Sequence, residues 1–284
     1  MSWSIIKAAF RDLVDAHDRG RPMAIAWRDF QECVRKSPTP VHLLPILTAL
    51  RGQQGSHKPE SVKILGHGCG SGLTLLYLHT LGYTNIYGVD IGGRCERWNA
   101  IVGQGGDCGG QRFVVCDGVR TPFSEASFDM IFSQEVLEHV RPDCLDAYYA
   151  EEVRLLRIGG AAFHRVPHRL CPFDSHTRTW FLHYLPRPLW LLALRAAGRD
   201  PTFPKEAIFL RWPWVHRRKV RQFIGPTRDL TLERLRGGTD LDIYEGSARL
   251  RRLVDNLIDL PIFGPILTSL FANIAAMDTL SNKR

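Results

Sequence analysis

The chain lacks the cysteine spacing of a disulfide framework or a thiolate metal site. Its seven cysteines are scattered over 284 residues, and none forms a C-x-x-C pair. An odd number excludes complete pairing, so reduced thiols and a cytoplasmic protein are expected.

Long apolar runs are also scarce. The N-terminal segment, residues 1–21, contains neither a continuous apolar core nor a cleavage site, so no signal peptide is expected. The clean apolar run at residues 260–277 is interrupted by Pro261 and Pro265, and its length places it at the lower limit for a membrane span. A helix that docks on the core is the preferred interpretation, and a dimer contact or an interfacial membrane anchor is the alternative.

Acidic residues are outnumbered, with 29 Asp and Glu against 37 Lys and Arg, which gives a net charge of +8 and a pI near 9.3. The basic residues concentrate in the C-terminal half, where Trp212 and Trp214 stand among them. A phosphate-bearing acceptor, an anionic membrane surface and a solvated basic face all fit this pattern. No recognised RNA-binding module is present, so nucleic acid is not expected as a partner. The oligomeric state is left open.

Residues 62–91 predict a strand, a glycine turn, a short helix and a second strand that ends at Asp90. Glycines let backbone amides approach a bound group closely, and the following helix N-terminus favours negative charge. The interval from Gly70 to Asp90 is the spacing of a carboxylate that binds ribose hydroxyls. The unit is therefore predicted to bind an adenosine-like group.

The glycine register is G-x-G-x-G at Gly68, Gly70 and Gly72, which is not the dinucleotide fingerprint. Three further segments follow in order at residues 113–118, 127–140 and 151–160, and the Gly159–Gly160 pair in the last is predicted to end a helix. Together the four segments resemble the class I S-adenosylmethionine (SAM)-dependent methyltransferases, in particular the broad small-molecule group.

That resemblance implies a Rossmann-like α/β fold, with a seven-stranded mostly parallel sheet, helices on both faces and SAM as the cofactor. It also implies a set of cofactor-binding positions, namely Gly68, Gly70, Ser71, Gly72, Asp90, Ile91, Asp117, Gly118, Ser133 and Gln134. Family members usually carry an acidic residue where this chain has Gly66, and that residue helps to hold the methionine ammonium group. Either His67 or another group replaces it, or cofactor affinity is lower.

Three regions are predicted. Residues 1–58 form an N-terminal helical cap, residues 59–168 the SAM-binding core, and residues 169–284 an acceptor-pocket segment with a basic and apolar extension. The region after the fifth strand is rich in histidine, arginine and aromatic residues, so acceptor specificity is expected there.

O-methylation of a small-molecule or glycan- or lipid-linked hydroxyl is the predicted reaction. A hydroxyl acceptor benefits from a general base with a pKa near neutrality, and histidine suits this role. His176 and His168 are the candidate bases, with Asp174 as an orienting partner; the packing of a histidine in an aromatic loop is the alternative. This primary prediction includes no metal ion.

Two other functions stay open. Glu135, Glu138 and His139 resemble the set that binds a divalent ion in small-RNA and quinone O-methyltransferases, and His164 or His168 is the expected further ligand. Two carboxylates with imidazoles suit Mg²⁺ or Mn²⁺. The other alternative is a degenerate SAM-binding fold that acts as a membrane-peripheral interaction protein.

Overall fold

The computed structural model describes residues 2–55, 57–102, 111–236, 256, 260, 261 and 263–284. Its helices are α1 (Ser2–Asp18), α2 (Met23–Lys36), α3 (Leu44–Gln54), α4 (Leu73–Thr80), α5 (Asn99–Val102), α6 (Leu145–Leu155), α7 (Arg187–Ala196), α8 (Thr202–Ala207), α9 (Pro213–Phe223), α10 (Thr231–Arg236) and α11 (Phe263–Ile274). Its strands are β1 (Ile64–His67), β2 (Ile86–Asp90), β3 (Phe113–Val115), β4 (Phe128–Gln134), β5 (Leu156–Val166), β6 (Phe173–Asp174), β7 (Thr179–Trp180), β8 (Thr227–Asp229) and β9 (Met277–Asn282).

Seven strands form one sheet in the order β3-β2-β1-β4-β5-β9-β8. Strands β1 to β5 pair in parallel, whereas β9 is antiparallel to both of its neighbours. The predicted seven-stranded, mostly parallel sheet is confirmed. Chain order reverses between β1 and β4, and in open α/β sheets ligands bind at the carboxyl ends of the strands at such a point.

Both faces of the sheet are covered. The N-terminal helices and α4 pack on one face, where Ile64 and Leu75 join a large buried cluster. Helices α6 and α9 cover the other face, where Leu65 and Tyr149 are buried. Because side chains alternate along a strand, Gly66 belongs to the face of Ile64, and His67 to the face of Leu65.

The N-terminal segment is helical, as the apolar spacing predicts, and α2 ends just before the Ser37–Pro38 turn. The C-terminal region does not form a separate layer, since it supplies β8 and β9 to the main sheet. The predicted domain boundary after residue 168 therefore separates strands that belong to the same sheet.

The prediction that Gly159 and Gly160 end a helix is wrong. Helix α6 ends at Leu155, and Leu156 already has extended backbone geometry. Gly159 does have a positive φ of 75°, but it lies within β5. Phe128 pairs with Leu156, and Met130 pairs with Ala161, so residues 157–160 bulge out of the ladder. The left-handed glycine serves this bulge and does not cap a helix.

The predicted apolar run at residues 260–277 overlaps α11, which has 12 residues. Residues 257–259 and 262, in and beside this region, lie outside the described part of the chain. Among the described residues, every helix is too short or too polar to cross a membrane.

Candidate functional site

The glycine turn between β1 and α4 is held by close packing. Gly68 has φ +77°, and a Cβ there would lie 2.4 Å from a methyl of Val136. Gly72 has φ +87°, and a Cβ there would lie 2.5 Å from the Trp98 ring. Both positions require glycine for backbone and packing reasons, whereas the space around Gly70 is open. Trp98 also donates its Nε1–H to the Ser71 carbonyl over 2.5 Å.

Asp90 connects the glycine turn after β1 with the loop after β2 at the carboxyl end of the sheet. Its Oδ2 accepts the Gly70 amide hydrogen at 2.7 Å, and its Oδ1 accepts the Gly92 amide hydrogen at 3.0 Å. Ile91 is 79% exposed, which leaves an apolar surface beside this carboxylate. Each oxygen of Asp90 retains a lone pair that can accept a hydroxyl hydrogen.

Asp117 and Gly118 follow β3 at the same edge of the sheet. Asp117 is exposed, and its Oδ1 accepts the amide hydrogens of Arg120 and Val119. These hydrogen bonds lower the pKa of the Asp117 carboxyl. The Gly118 carbonyl accepts a hydrogen bond from His67 Nε2 at 2.7 Å.

Ser133 and Gln134 point to opposite faces of the sheet at the end of β4. Gln134 accepts a hydrogen bond from Thr74 in the first turn of α4, at 3.1 Å, so it lies beside the glycine turn. The Ser133 hydroxyl is buried against the Tyr148 hydroxyl at 2.9 Å. Its side chain is therefore directed away from the turn, which leaves only its backbone available there.

Gly66 has little space for a side chain. A Cβ there would lie 3.0 Å from Cys69 and Leu75 and 3.2 Å from Phe132. The suggestion that His67 replaces the missing acidic residue is wrong, because His67 points to the other face of the sheet. Its ring is buried and stacks on Tyr148, with the ring centroids 3.9 Å apart.

A buried carboxylate, which the sequence analysis missed, holds His67 in that position. Glu152 Oε1 lies 3.2 Å from His67 Nδ1, and Glu152 Oε2 lies 2.7 Å from His164 Nε2. Burial raises the pKa of Glu152, but the two histidines outweigh this effect and lower it to about 2. His164 is thus used inside the fold, and the expectation that it completes a metal site is wrong.

The two-stranded hairpin β6–β7 brings Asp174 and His176 together. His176 Nδ1 donates to Asp174 Oδ1 at 3.1 Å, and Thr177 donates to Asp174 Oδ2 at 2.6 Å. Burial raises the pKa of Asp174, but the hydrogen bonds from His176 and Thr177 outweigh it and hold this pKa below its usual value. The predicted orienting pair is therefore formed, with Nε2 of His176 directed away from Asp174.

His139 Nε2 faces His176 Nε2 at 3.1 Å. His139 donates from Nδ1 to the Ala207 carbonyl at 2.7 Å, and burial lowers its pKa. Since a carbonyl and an ionised carboxylate only accept, both rings carry their proton on Nδ1. Two lone pairs therefore face each other across this short gap, and the gap requires a proton, a hydroxyl or a cation.

Glu138 is the third member of this cluster. Its Oε1 lies 3.9 Å from His176 Nε2 and 4.0 Å from His139 Nε2. The residue is 1% exposed, and within the described part of the chain neither carboxylate oxygen has a hydrogen-bond partner. Burial raises the pKa of Glu138 well above its usual value. We refer to Glu138, His139 and His176 as the imidazole–carboxylate cluster.

Residues 207–211 anchor this cluster, a role that the sequence did not reveal. Besides the Ala207 carbonyl, the Phe209 amide donates to the Glu138 carbonyl at 2.6 Å. Arg211 donates to the Leu137 and Val140 carbonyls. Residues 207–211 thus hold the segment that follows β4 by hydrogen bonds, and Val136 of the same segment packs on Gly68.

Glu135 begins this segment in a strained conformation. Its φ is +56°, in the left-handed region that non-glycine residues seldom adopt. Strain of this kind costs about 1–3 kcal/mol and is concentrated at functional sites. Glu135 is outside the metal-like grouping among the described residues, which consists of Glu138, His139 and His176.

His168 is outside the metal-like grouping of the described residues, although it lines the same small cavity as Glu138. Its Nδ1 accepts the Leu170 amide hydrogen at 3.2 Å, and its ring also bonds the Ala275 carbonyl. Burial lowers its pKa to about 4. Both ring nitrogens are thus used structurally, so the structure contradicts the predictions of His168 as base or metal ligand.

Residues 65–164 match a family model described as a methyltransferase domain. Residues 65–164 thus form a methyltransferase domain, and this match supports the resemblance to the class I SAM-dependent methyltransferases and S-adenosylmethionine as the cofactor. This identification favours an enzyme over a non-catalytic SAM-binding fold.

Solved structures similar to the chain include three methyltransferases. A geranyl diphosphate C-methyltransferase from Streptomyces coelicolor A3(2), in complex with Mg²⁺, geranyl diphosphate and S-adenosyl-L-homocysteine, is 13% identical, with 90% of this chain and 84% of that chain covered and a TM-score of 0.46. A SAM-dependent methyltransferase from Archaeoglobus fulgidus is 12% identical, with 86% and 92% covered and a TM-score of 0.48. One from Mesorhizobium loti is 16% identical, with 86% and 100% covered and a TM-score of 0.47. No match was found among curated protein sequences.

Proposed function

We propose that the protein transfers the methyl group of SAM to a hydroxyl of a small-molecule or lipid-linked acceptor bound at the imidazole–carboxylate cluster. The observation that carries this proposal is the orientation of His176, whose Nδ1 faces Asp174 and whose Nε2 faces His139, beside the segment in which Val136 packs on Gly68 of the glycine turn. The arrangement supports O-methylation because a hydroxyl must lose a proton as it is methylated.

The cofactor would lie across the carboxyl ends of β1, β2 and β4. Asp90 would accept the ribose hydroxyl hydrogens, with Ile91 and Asp117 beside the adenine. Backbone atoms of the glycine turn, Gly118 and Ser133 would line the site together with the Gln134 side chain. The open space at Gly70 supports this placement, since backbone atoms can approach a ligand there.

His176 would act as the general base. Its Nε2 takes the acceptor hydroxyl proton as the oxygen attacks the methyl carbon and the bond from that carbon to sulfur breaks. The products are the methyl ether and S-adenosylhomocysteine, and the proton then leaves His176 for solvent. Asp174 keeps the ring in the tautomer that exposes Nε2 and stabilises the imidazolium, as the aspartate does in serine protease triads.

The test is methyl transfer from tritiated SAM to a panel of phenols, catechols and long-chain alcohols. His176→Asn should lower kcat by roughly 10²- to 10⁴-fold, the usual contribution of a general base. SAM affinity, measured by calorimetry, should stay within a few-fold of wild type because His176 lies outside the predicted cofactor positions.

His168→Asn is the matched control. It removes the other candidate imidazole, whose nitrogens are both bonded within the fold, so kcat per folded molecule should be preserved. Equal kcat for His176→Asn and wild type would refute the base assignment. Methyl groups found only on nitrogen or carbon would refute O-methylation.

Cation-assisted O-methylation, with an RNA or quinone hydroxyl as acceptor, is the second candidate. It is favoured by one observation, the buried and unpartnered carboxylate of Glu138 beside two imidazole lone pairs. Two tetrahedral nitrogen ligands at about 2.1 Å from one zinc ion lie about 3.4 Å apart, close to the 3.1 Å between the Nε2 atoms. The donor set favours Zn²⁺ or Mn²⁺ over Mg²⁺.

A bound cation would act as a Lewis acid on the acceptor hydroxyl. Glu138, His139 and His176 would hold it, while Asp174 and the Ala207 carbonyl orient the rings, as second-shell acceptors do at metal sites. The test is titration of chelator-treated protein with ZnCl₂ and MnCl₂. Binding that Glu138→Gln abolishes and the exposed control Glu206→Gln preserves would support this candidate. Unchanged activity in excess EDTA, with no heat on titration, would reject it.

A further inference from the structure

Large apolar side chains are exposed along the segment that runs from β7 to α8. Trp180, Phe181, Leu189, Leu192 and Phe203 are each more than half exposed. We refer to these five side chains as the docking surface. Single exposed apolar residues are ordinary, whereas five large ones so close together in the sequence indicate an interaction site.

Helix α7 has two apolar faces with different environments. Trp190 and Leu194 point inward and pack with Ile208 in a small core of their own. Leu189 and Leu192, three positions apart, share the opposite, exposed face. Neither outward leucine is among the described residues that pack on this small core.

The hairpin holds its aromatic residues outward at a cost. Phe181 has φ +60°, a left-handed conformation that is unfavourable for a bulky residue. Its amide donates to the Pro172 carbonyl at 2.8 Å, and its carbonyl accepts the Tyr184 amide hydrogen at 3.0 Å. The backbone therefore maintains a strained turn, yet the Phe181 ring stays 55% exposed.

The exposed charges in the same segment, residues 178–206, are mainly positive. Arg178, Arg195, Arg199 and Lys205 are exposed in residues 178–206, whereas Asp200 and Glu206 are the exposed acidic residues there. A second copy of this chain would bring the same cations into contact across the interface. An anionic lipid surface supplies both an apolar phase for the rings and leucines and negative headgroups for the cations.

We propose that the docking surface binds the protein peripherally to an anionic membrane. Arginine and lysine stems can lie along the interface while their charged ends meet headgroups, and tryptophan is suited to the same depth. The surface adjoins the imidazole–carboxylate cluster, since the Phe203 ring lies 5.9 Å from the His139 ring and 6.2 Å from the His176 ring. Docking would therefore bring the cluster to the lipid boundary.

The experiment is co-sedimentation of the full chain with vesicles of phosphatidylcholine alone and with about 30 mol% phosphatidylserine added. Binding should require the anionic lipid and weaken with salt. The double variant Arg195→Gln/Arg199→Gln should bind about 30-fold more weakly, since each basic residue near the surface contributes roughly a factor of five. Leu189→Ser/Leu192→Ser should lose at least about tenfold.

The matched control is Arg28→Gln/Arg35→Gln, which removes two exposed charges from α2 and should bind as wild type. All variants should retain the wild-type circular dichroism spectrum and SAM affinity. Equal loss in the α2 control would show a general charge effect and overturn the proposal. A stable dimer by light scattering that the leucine variant dissociates would also overturn it. Because no acceptor is present, the outcome is independent of the proposed O-methylation.

Discussion

The buried carboxylate of Glu152 offers a quantitative test of the fold. It is fully buried between His67 and His164, and its pKa falls from 4.5 to about 2 in the folded protein. Since a tenfold change in a protonation equilibrium corresponds to 1.36 kcal/mol, the difference between these two pKa values amounts to about 3 kcal/mol of stability. Glu152→Gln should therefore lower the free energy of unfolding by about 3 kcal/mol at pH 7.

The replacement also leaves a poorly matched site. Nε2 of His67 donates to the Gly118 carbonyl, so both of its ring nitrogens face oxygen acceptors when Glu152 is ionised. A glutamine side chain offers one acceptor oxygen for two histidines, and its NH₂ group must face the other. Loss of one partner of a buried pair generally costs about 3–5 kcal/mol, which agrees with the figure from the pKa.

The pH dependence has a definite sign. Because folding lowers the pKa of Glu152, its contribution is complete above the unfolded pKa of about 4.5 and is lost as the pH falls toward 2. Urea unfolding of wild type and Glu152→Gln should give the same difference at pH 7 and 5.5, and a smaller one at pH 3. The exposed control Glu206→Gln should leave stability unchanged. A difference below about 1 kcal/mol at pH 7, or one that grows on acidification, would refute the reasoning.

Three further predictions concern the carboxyl ends of the strands, where we propose that the cofactor binds. Gly68→Ala places a Cβ 2.4 Å from Val136 at φ +77°, so calorimetry should show at least about tenfold weaker SAM binding, whereas retained affinity would mean that the turn can adjust. Asp90→Asn loses the charge that would hold ribose and should weaken S-adenosylhomocysteine binding by about ten- to a hundredfold; an unchanged dissociation constant would remove Asp90 from the site. Gly66→Glu should lower the thermal midpoint by several degrees without raising SAM affinity, because overpacking costs about 1–3 kcal/mol, and tighter binding at an unchanged midpoint would contradict this.

The parts of the fold that the sequence predicted are encoded locally. The glycine turn is a run of adjacent residues whose φ values demand glycine, and Asp90 directly ends the next strand. Strands β1, β2 and β3 are short and mainly apolar. The helix end at Gly159 was mispredicted because a positive φ serves a strand bulge as well as a helix cap.

The cluster itself depends on contacts that sequence spacing does not encode. His139 and His176 are far apart in the sequence and meet only because β6–β7 folds back onto the segment after β4. His164 and His168 cannot be told from His176 by residue type. In the structure, however, His164 is hydrogen-bonded to Glu152 and His168 to backbone groups. These histidines differ in their burial and in their hydrogen-bond partners, and both depend on the tertiary structure.

The position of β9 has a consequence for folding. Residues 277–282 lie between β5 and β8 within the sheet, although β5 already ends at Val166. Until that pairing forms, β5 presents an open edge of apolar strand to other chains. The matched region 65–164 stops before β9, so an excised domain would expose this edge permanently. We expect such a fragment to aggregate, and the intact chain to fold slowly because this contact is so distant in sequence.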